Sequence, residues 1–106
     1  LLFATIVLLA RLSSIPKARE SMANEASITR ACKQAASRFG LTPRESEILI
    51  YLVKGYNRAF IAHSLCVSTE TVKTHTQHIY TKLDAHSRLE VFNAVAQCLE
   101  DDRKMN

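Results

Sequence analysis

Lys73, Thr74 and Gln77 are the residues of this chain best equipped for recognition chemistry. Lysine and glutamine donate hydrogen bonds to purine edges, glutamine in bidentate fashion to adenine, and a threonine methyl meets a thymine methyl. They sit in the run Thr71-Val72-Lys73-Thr74-His75, which continues through Ile79-Tyr80 to Lys82-Leu83. Ser68 stands just before it and suits a helix cap, where free N–H groups and a positive helix end favour a phosphate. Thr69, Thr71 and Lys82 suit phosphate oxygens, contacts that set register without reading sequence. An ordinary solvated helix surface is the competing reading of this face.

Other chemistries find less support. No carboxylate pair is placed for acid–base work, and no nucleophile, base and orienting group stand at readable spacing, so an enzyme is not expected. His63 with Cys66, and His75 with His78, have spacings that could supply zinc ligands. The two pairs fall on different predicted helices without the tight loops of a structural site, so neither metal nor cofactor is expected. Cys32, Cys66 and Cys98 are far apart and odd in number, which fits buried thiols in a reducing cytosol rather than a disulfide framework.

The recognition residues need a scaffold, and the pattern around them provides one. Asn57 caps a short helix with Ile61, Ala62 and Leu65 inward, and Leu65-Cys66-Val67-Ser68 reads as a tight turn. In the following helix, 69–83, Val72, Ile79 and Leu83 face inward, with Thr76 or Tyr80 at the margin. Short helix, tight turn and longer helix with a polar outer face is the helix-turn-helix pattern, whose second helix enters a DNA major groove. Upstream, Thr42-Pro43-Arg44-Glu45 is a capping box with proline at the first helical position. Ile48, Leu49, Leu52 and Val53 then form a buried face, and Gly55 stops the helix. Downstream, Ser87-Arg88-Leu89-Glu90 is a second capping box. Leu89, Phe92, Ala96 and Leu99 are expected to dock on the bundle, while Val91, Val95 and Cys98 extend an apolar surface suited to dimerisation.

Length and composition agree with this all-α reading. The chain has 106 residues with two glycines and two prolines, too few breakers for a turn-rich β fold. The clearly periodic part, about 60 residues, buries little surface alone, so a flanking helix or partner should matter. Residues 1–40 carry six basic and two acidic residues, whereas residues 41–106 carry eight of each. Basicity as such therefore does not indicate DNA binding; charge placement on one face must do so.

Residues 1–10 are almost wholly apolar, and Arg11, Lys17 and Arg19 come after them. Such a run is too short to cross a bilayer, which takes about 20 residues. The favoured reading is the end of a membrane span, with the basic residues keeping the downstream chain in the cytoplasm; the absence of a starting methionine agrees with it. The alternative is a soluble amphipathic or buried helix packing near Phe60 and Phe39, or on a second copy. Ser14-Ile15-Pro16 breaks this segment, and a helix is expected from Lys17 to Phe39 with Met22, Ile28, Ala31, Cys32, Ala35 and Phe39 on a narrow stripe. Gly40 ends it, and it is expected to serve as a linker or lid.

The stretch from Leu41 to about Gln97 resembles the C-terminal domain of the LuxR family of bacterial transcription regulators, also found in NarL/FixJ response regulators. The matching residues are Leu41-Thr42-Pro43-Arg44-Glu45, Gly55, Ile61-Ala62, Leu65, Val67-Ser68, Thr71-Val72-Lys73, His75, Ile79-Tyr80, Lys82-Leu83 and Ser87-Arg88. The resemblance implies a four-helix bundle with its third helix in the major groove, here preceded by a helical extension. It places Lys73, Thr74 and Gln77 on bases, Thr71 and Lys82 on the DNA backbone, and His75 near it. It also implies a dimerising last helix. The expected division is an extension over 1–40, a DNA-binding domain over 41–100 and a polar tail over 101–106. Expected partners are double-stranded DNA and a second copy on it, with RNA polymerase and a membrane as further candidates, in a bacterial, cytoplasm-facing setting. The alternative function is a helical interaction or signalling module without DNA affinity. Two positions depart from the family pattern: Phe60 where Glu is usual, and Asp84 where Gly is usual.

Overall fold

A computed structural model describes residues 24–105. Five helices occur in order: α1 (Glu25–Phe39), α2 (Pro43–Lys54), α3 (Arg58–Leu65), α4 (Thr69–Leu83) and α5 (Arg88–Met105). Among the described residues there is no strand, as the sequence predicts.

Helix boundaries reflect local chemistry. Thr42 Oγ1 accepts the Glu45 N–H at 3.2 Å, and Glu45 Oε1 accepts the Thr42 N–H at 3.0 Å, the reciprocal pair of a capping box. Gly40 and Gly55 end α1 and α2 at φ 67° and 92°, left-handed positions where glycine carries no Cβ penalty. Asp84 takes the equivalent position after α4 at φ 52°, so the helix ends there without the family's glycine. At the start of α5, Ser87 Oγ accepts the Glu90 N–H at 3.2 Å, while Glu90 Oε2 reaches back to the His86 N–H, one residue beyond the usual box.

Ile48, Leu49, Ile61, Val72, Ile79 and Leu99 are fully buried and form the centre of one core. The helix expected as a linker or lid belongs to that core. Ala31, Cys32 and Ala35 of α1 are buried, and α1 packs along α5 and α2. Small residues let its backbone approach closely, which is why a modest apolar stripe suffices for a core element. Arg38 pairs with Asp101 at 2.9 Å, and Glu25 pairs with Lys54, fastening α1 at both ends. The helix begins at Glu25, because Asn24 is extended and caps it by accepting the Ala26 N–H at 2.8 Å. It is therefore not continuous back to Lys17.

This packing corrects the reading of α5. The sequence suggests a dimerising surface of Val91, Val95 and Cys98, but they are 0, 0 and 1% exposed. They fall on one helical stripe that α1 and the bundle cover, whereas Leu89, expected to dock, is 60% exposed. Burial pushes the Cys32 thiol up to about 12 and the Cys98 thiol upward too, so both stay protonated. Cys66, by contrast, is exposed. The Phe60 ring stacks on Tyr56 at 4.4 Å, with Tyr51 edge-on to both.

The expectations for residues 1–10, the break at Ser14-Ile15-Pro16 and the position of Met22 lie outside the described residues. Among the described residues no helix is long and apolar enough to cross a membrane.

Candidate nucleic-acid interface

Helices α3 and α4 with the turn between them build the predicted unit. Asn57 Oδ1 accepts the Phe60 N–H at 2.8 Å and starts α3. Cys66 closes it in the left-handed conformation, φ 56°, and Val67 donates its N–H to the Ala62 carbonyl at 3.0 Å. No glycine or asparagine marks that position, so the sequence carries no signal for it. Ser68 Oγ accepts the Thr71 N–H at 3.1 Å and lies 2.9 Å from Thr71 Oγ1. Its hydroxyl and that of Thr71 thus define the start of α4.

Val72, Ile79 and Leu83 bury one side of α4. Lys73, Thr74 and Gln77 emerge on the opposite side and are all exposed. Lys73 and Gln77 are one turn apart and so are neighbours on the surface. Among the described residues neither side chain has a hydrogen bond or ion pair, which leaves both free to donate. Thr74 uses its hydroxyl on the Glu70 carbonyl at 3.1 Å, leaving its methyl as the outward group. Ser68 and Thr69 are exposed, Thr71 and His75 half-buried.

One flank of this face holds an arrangement that sequence reasoning missed. Glu45, the capping residue of α2, is 2% exposed, and Lys82 Nζ lies 2.6 Å from its Oε1. Lys82 also donates to the Gly40 carbonyl at 3.2 Å. His78 Nδ1 is 3.6 Å from Glu45 Oε2. Burial raises the Glu45 carboxyl, but the Lys82 hydrogen bond, the Thr42 N–H and the charges of Lys82 and His78 outweigh it and hold it below its ordinary value. The sequence reading puts Lys82 on a DNA phosphate; in the fold its ammonium also pairs with Glu45, because a buried carboxylate requires a partner. His78, one turn before Lys82, is the available hint that this flank is not simply solvated. On the same flank the Nδ1 of His75 is buried without a hydrogen-bond partner among the described residues.

On the other flank an open cleft of about 300 Å³ has Leu52, Ile61 and Val72 along its floor. Asn57, Arg58, Thr76, Tyr80 and Arg88 form its polar sides. Arg88 donates to the Tyr56 carbonyl at 2.5 Å, tying the start of α5 to the end of α2. Thr76 and Tyr80 therefore border this cleft at the margin of the α4 core.

A capped helix-turn-helix with unpaired donors on its outer face defines a nucleic-acid-binding class of fold. The sequence model of the luxR family of bacterial regulatory proteins matches residues 40–95, just over half the chain. The chain belongs to this family. It is 49% identical over 51 residues to the oxygen regulatory protein NreC of Staphylococcus haemolyticus (strain JCSC1435), covering 48% of this chain and 24% of that protein. It is 42% identical over 64 residues to the uncharacterized response regulatory protein YgeK of Escherichia coli (strain K12), covering 57% and 44%. The response regulator protein VraR of Staphylococcus aureus (strain Mu3 / ATCC 700698) is 42% identical over 50 residues, covering 47% and 24%. The matched stretch thus spans between about a quarter and under half the length of these relatives. No solved structure gave a significant match.

Proposed function

We propose that this chain is the DNA-binding part of a bacterial transcription regulator, with α4 in the major groove. Lys73, Thr74 and Gln77 read base edges, and Ser68, Thr69, Thr71 and His75 meet the sugar–phosphate backbone. The observation that carries this reading is the pair Lys73 and Gln77, exposed and unengaged on a helix whose opposite side is fully buried. Lys82 supports the reading indirectly, by holding α4 to α2 through Glu45. The DNA-binding unit spans 41–100, with α1 as the flanking helix that completes its core. Selection of bound duplexes from a random pool tests the reading; a consensus that Lys73→Ala and Gln77→Ala erode is the expected result.

Two copies are proposed to bind adjacent half-sites about one helical turn, roughly 34 Å, apart. Their contact uses exposed residues of α5 such as Leu89, not the buried Val91, Val95 and Cys98. RNA polymerase is the proposed second partner on DNA. The apolar run of residues 1–10 and the basic residues after it are read as the cytoplasmic end of a membrane anchor. The equal numbers of acidic and basic residues over 41–106 favour the second reading, an interaction module without DNA affinity; selection of no sequence would support it.

A further inference from the structure

We propose that Glu45, His75 and His78 form a site for a divalent transition-metal ion of the zinc class, tying α4 to α2. One carboxylate oxygen and one ring nitrogen from each histidine lie within 4.8 Å of one another. Tetrahedral zinc with bonds of about 2.0–2.1 Å needs ligand atoms roughly 3.4 Å apart. The pair Glu45 Oε2 and His78 Nδ1, at 3.6 Å, is already close to that spacing. His75 and His78 are one turn apart on α4, so small χ rotations bring both rings towards the same point.

Three further observations favour an ion. First, the Nδ1 of His75 is buried with no hydrogen-bond partner among the described residues, and a buried polar atom without a partner calls for an explanation. Second, Glu45 Oε1 is fixed by Lys82 and by the Thr42 N–H, which leaves Oε2 aimed at His78. Metal-ligating carboxylates are ordinarily held this way by a second hydrogen bond. Third, His78 keeps a side-chain exposure of 58%, giving the ion a route in and leaving room for water as a remaining ligand. Two imidazoles and one carboxylate suit zinc, cobalt, nickel or copper and not magnesium or calcium, which take all-oxygen sites. The positive charge of Lys82 opposes the ion, so binding is expected to be weaker than at a site without a neighbouring cation.

Cobalt titration of the full chain, monitored by visible d–d absorption, tests this directly and needs no DNA. One-to-one saturation is expected, with the cobalt displaced by zinc and not by magnesium. His78→Asn and His75→Asn should each weaken binding at least about tenfold, with helical circular dichroism unchanged for the exposed His78. Cys66→Ser should leave the titration as it was. Glu45→Gln is read alongside His78→Asn, because loss of its charge also disturbs the Lys82 pair. No saturation, saturation that survives His78→Asn, or saturation lost in Cys66→Ser would overturn the assignment.

Discussion

Lys82 of α4 and Glu45 of α2 stand 37 positions apart in the chain and 2.6 Å apart in the fold. Glu45 also closes the α2 capping box, so one buried carboxylate fixes a helix start and the far end of the proposed recognition helix. A lysine expected to grip DNA thereby ties α4, the helix proposed to read it, to α2.

Lys82→Met should therefore destabilise the chain, because it leaves a buried carboxylate unpaired. The lysine is one-third exposed, which lowers the loss to about 1–3 kcal/mol. Urea unfolding measures it. A stability unchanged within error, together with a reduced salt dependence of DNA binding, would return Lys82 to the phosphate backbone.

The same pair sets an acid limit. Glu45 titrates below its ordinary value of 4.5 in the folded chain, so its contribution is complete above that pH. It is lost as the pH falls through the lowered folded value. Unfolding free energy measured from pH 7 to pH 2 should fall in that acid window, and Lys82→Met should flatten the fall. Parallel profiles for the two proteins would contradict it.

Asp84 caps α4 at φ 52°, a conformation that costs a residue with a Cβ. Asp84→Gly should raise stability by about 0.5–1 kcal/mol, the relief being partly offset by unfolded-chain entropy. Thermal unfolding checks the sign, and a lowered midpoint would show that the carboxylate contributes more than the backbone strain costs.

Much of this architecture is legible in the chain, for identifiable reasons. Thr42-Pro43-Glu45, Asn57 and Ser68 start helices through bonds to neighbours three residues away, so local sequence suffices. The inward stripe Val72, Ile79 and Leu83 is equally local. The Glu45–Lys82 pair is not legible, because neither residue's partner is fixed by spacing along the chain. The facing of α5 escapes the sequence for a related reason: it depends on α1, whose Ala31, Cys32 and Ala35 bury little area but allow close approach. Cys66 hides a left-handed cap because cysteine is not a residue that announces one. Phe60 meets Tyr56 and Tyr51, neighbours set by the meeting of α2 and α3.

The burial of α5 gives a sharp contrast. Val95→Ala should cost about 1–3 kcal/mol of stability, since it leaves a hole in the core. Leu89→Asp, at a 60% exposed position, should change stability by no more than about 0.5 kcal/mol. Sedimentation on DNA should then show Leu89→Asp weakening the second copy's binding. The reverse pattern, with Val95→Ala stable but unable to pair, would restore the buried stripe as the interface.

Binding titrations on a selected duplex and on random duplex, with Lys73→Ala and Gln77→Ala, decide whether α4 reads bases. Each substitution should cost about 1–3 kcal/mol on the selected sequence and far less on random DNA. Equal losses on both duplexes, or no loss on either, would contradict the placement of α4 in the major groove with these residues on the bases.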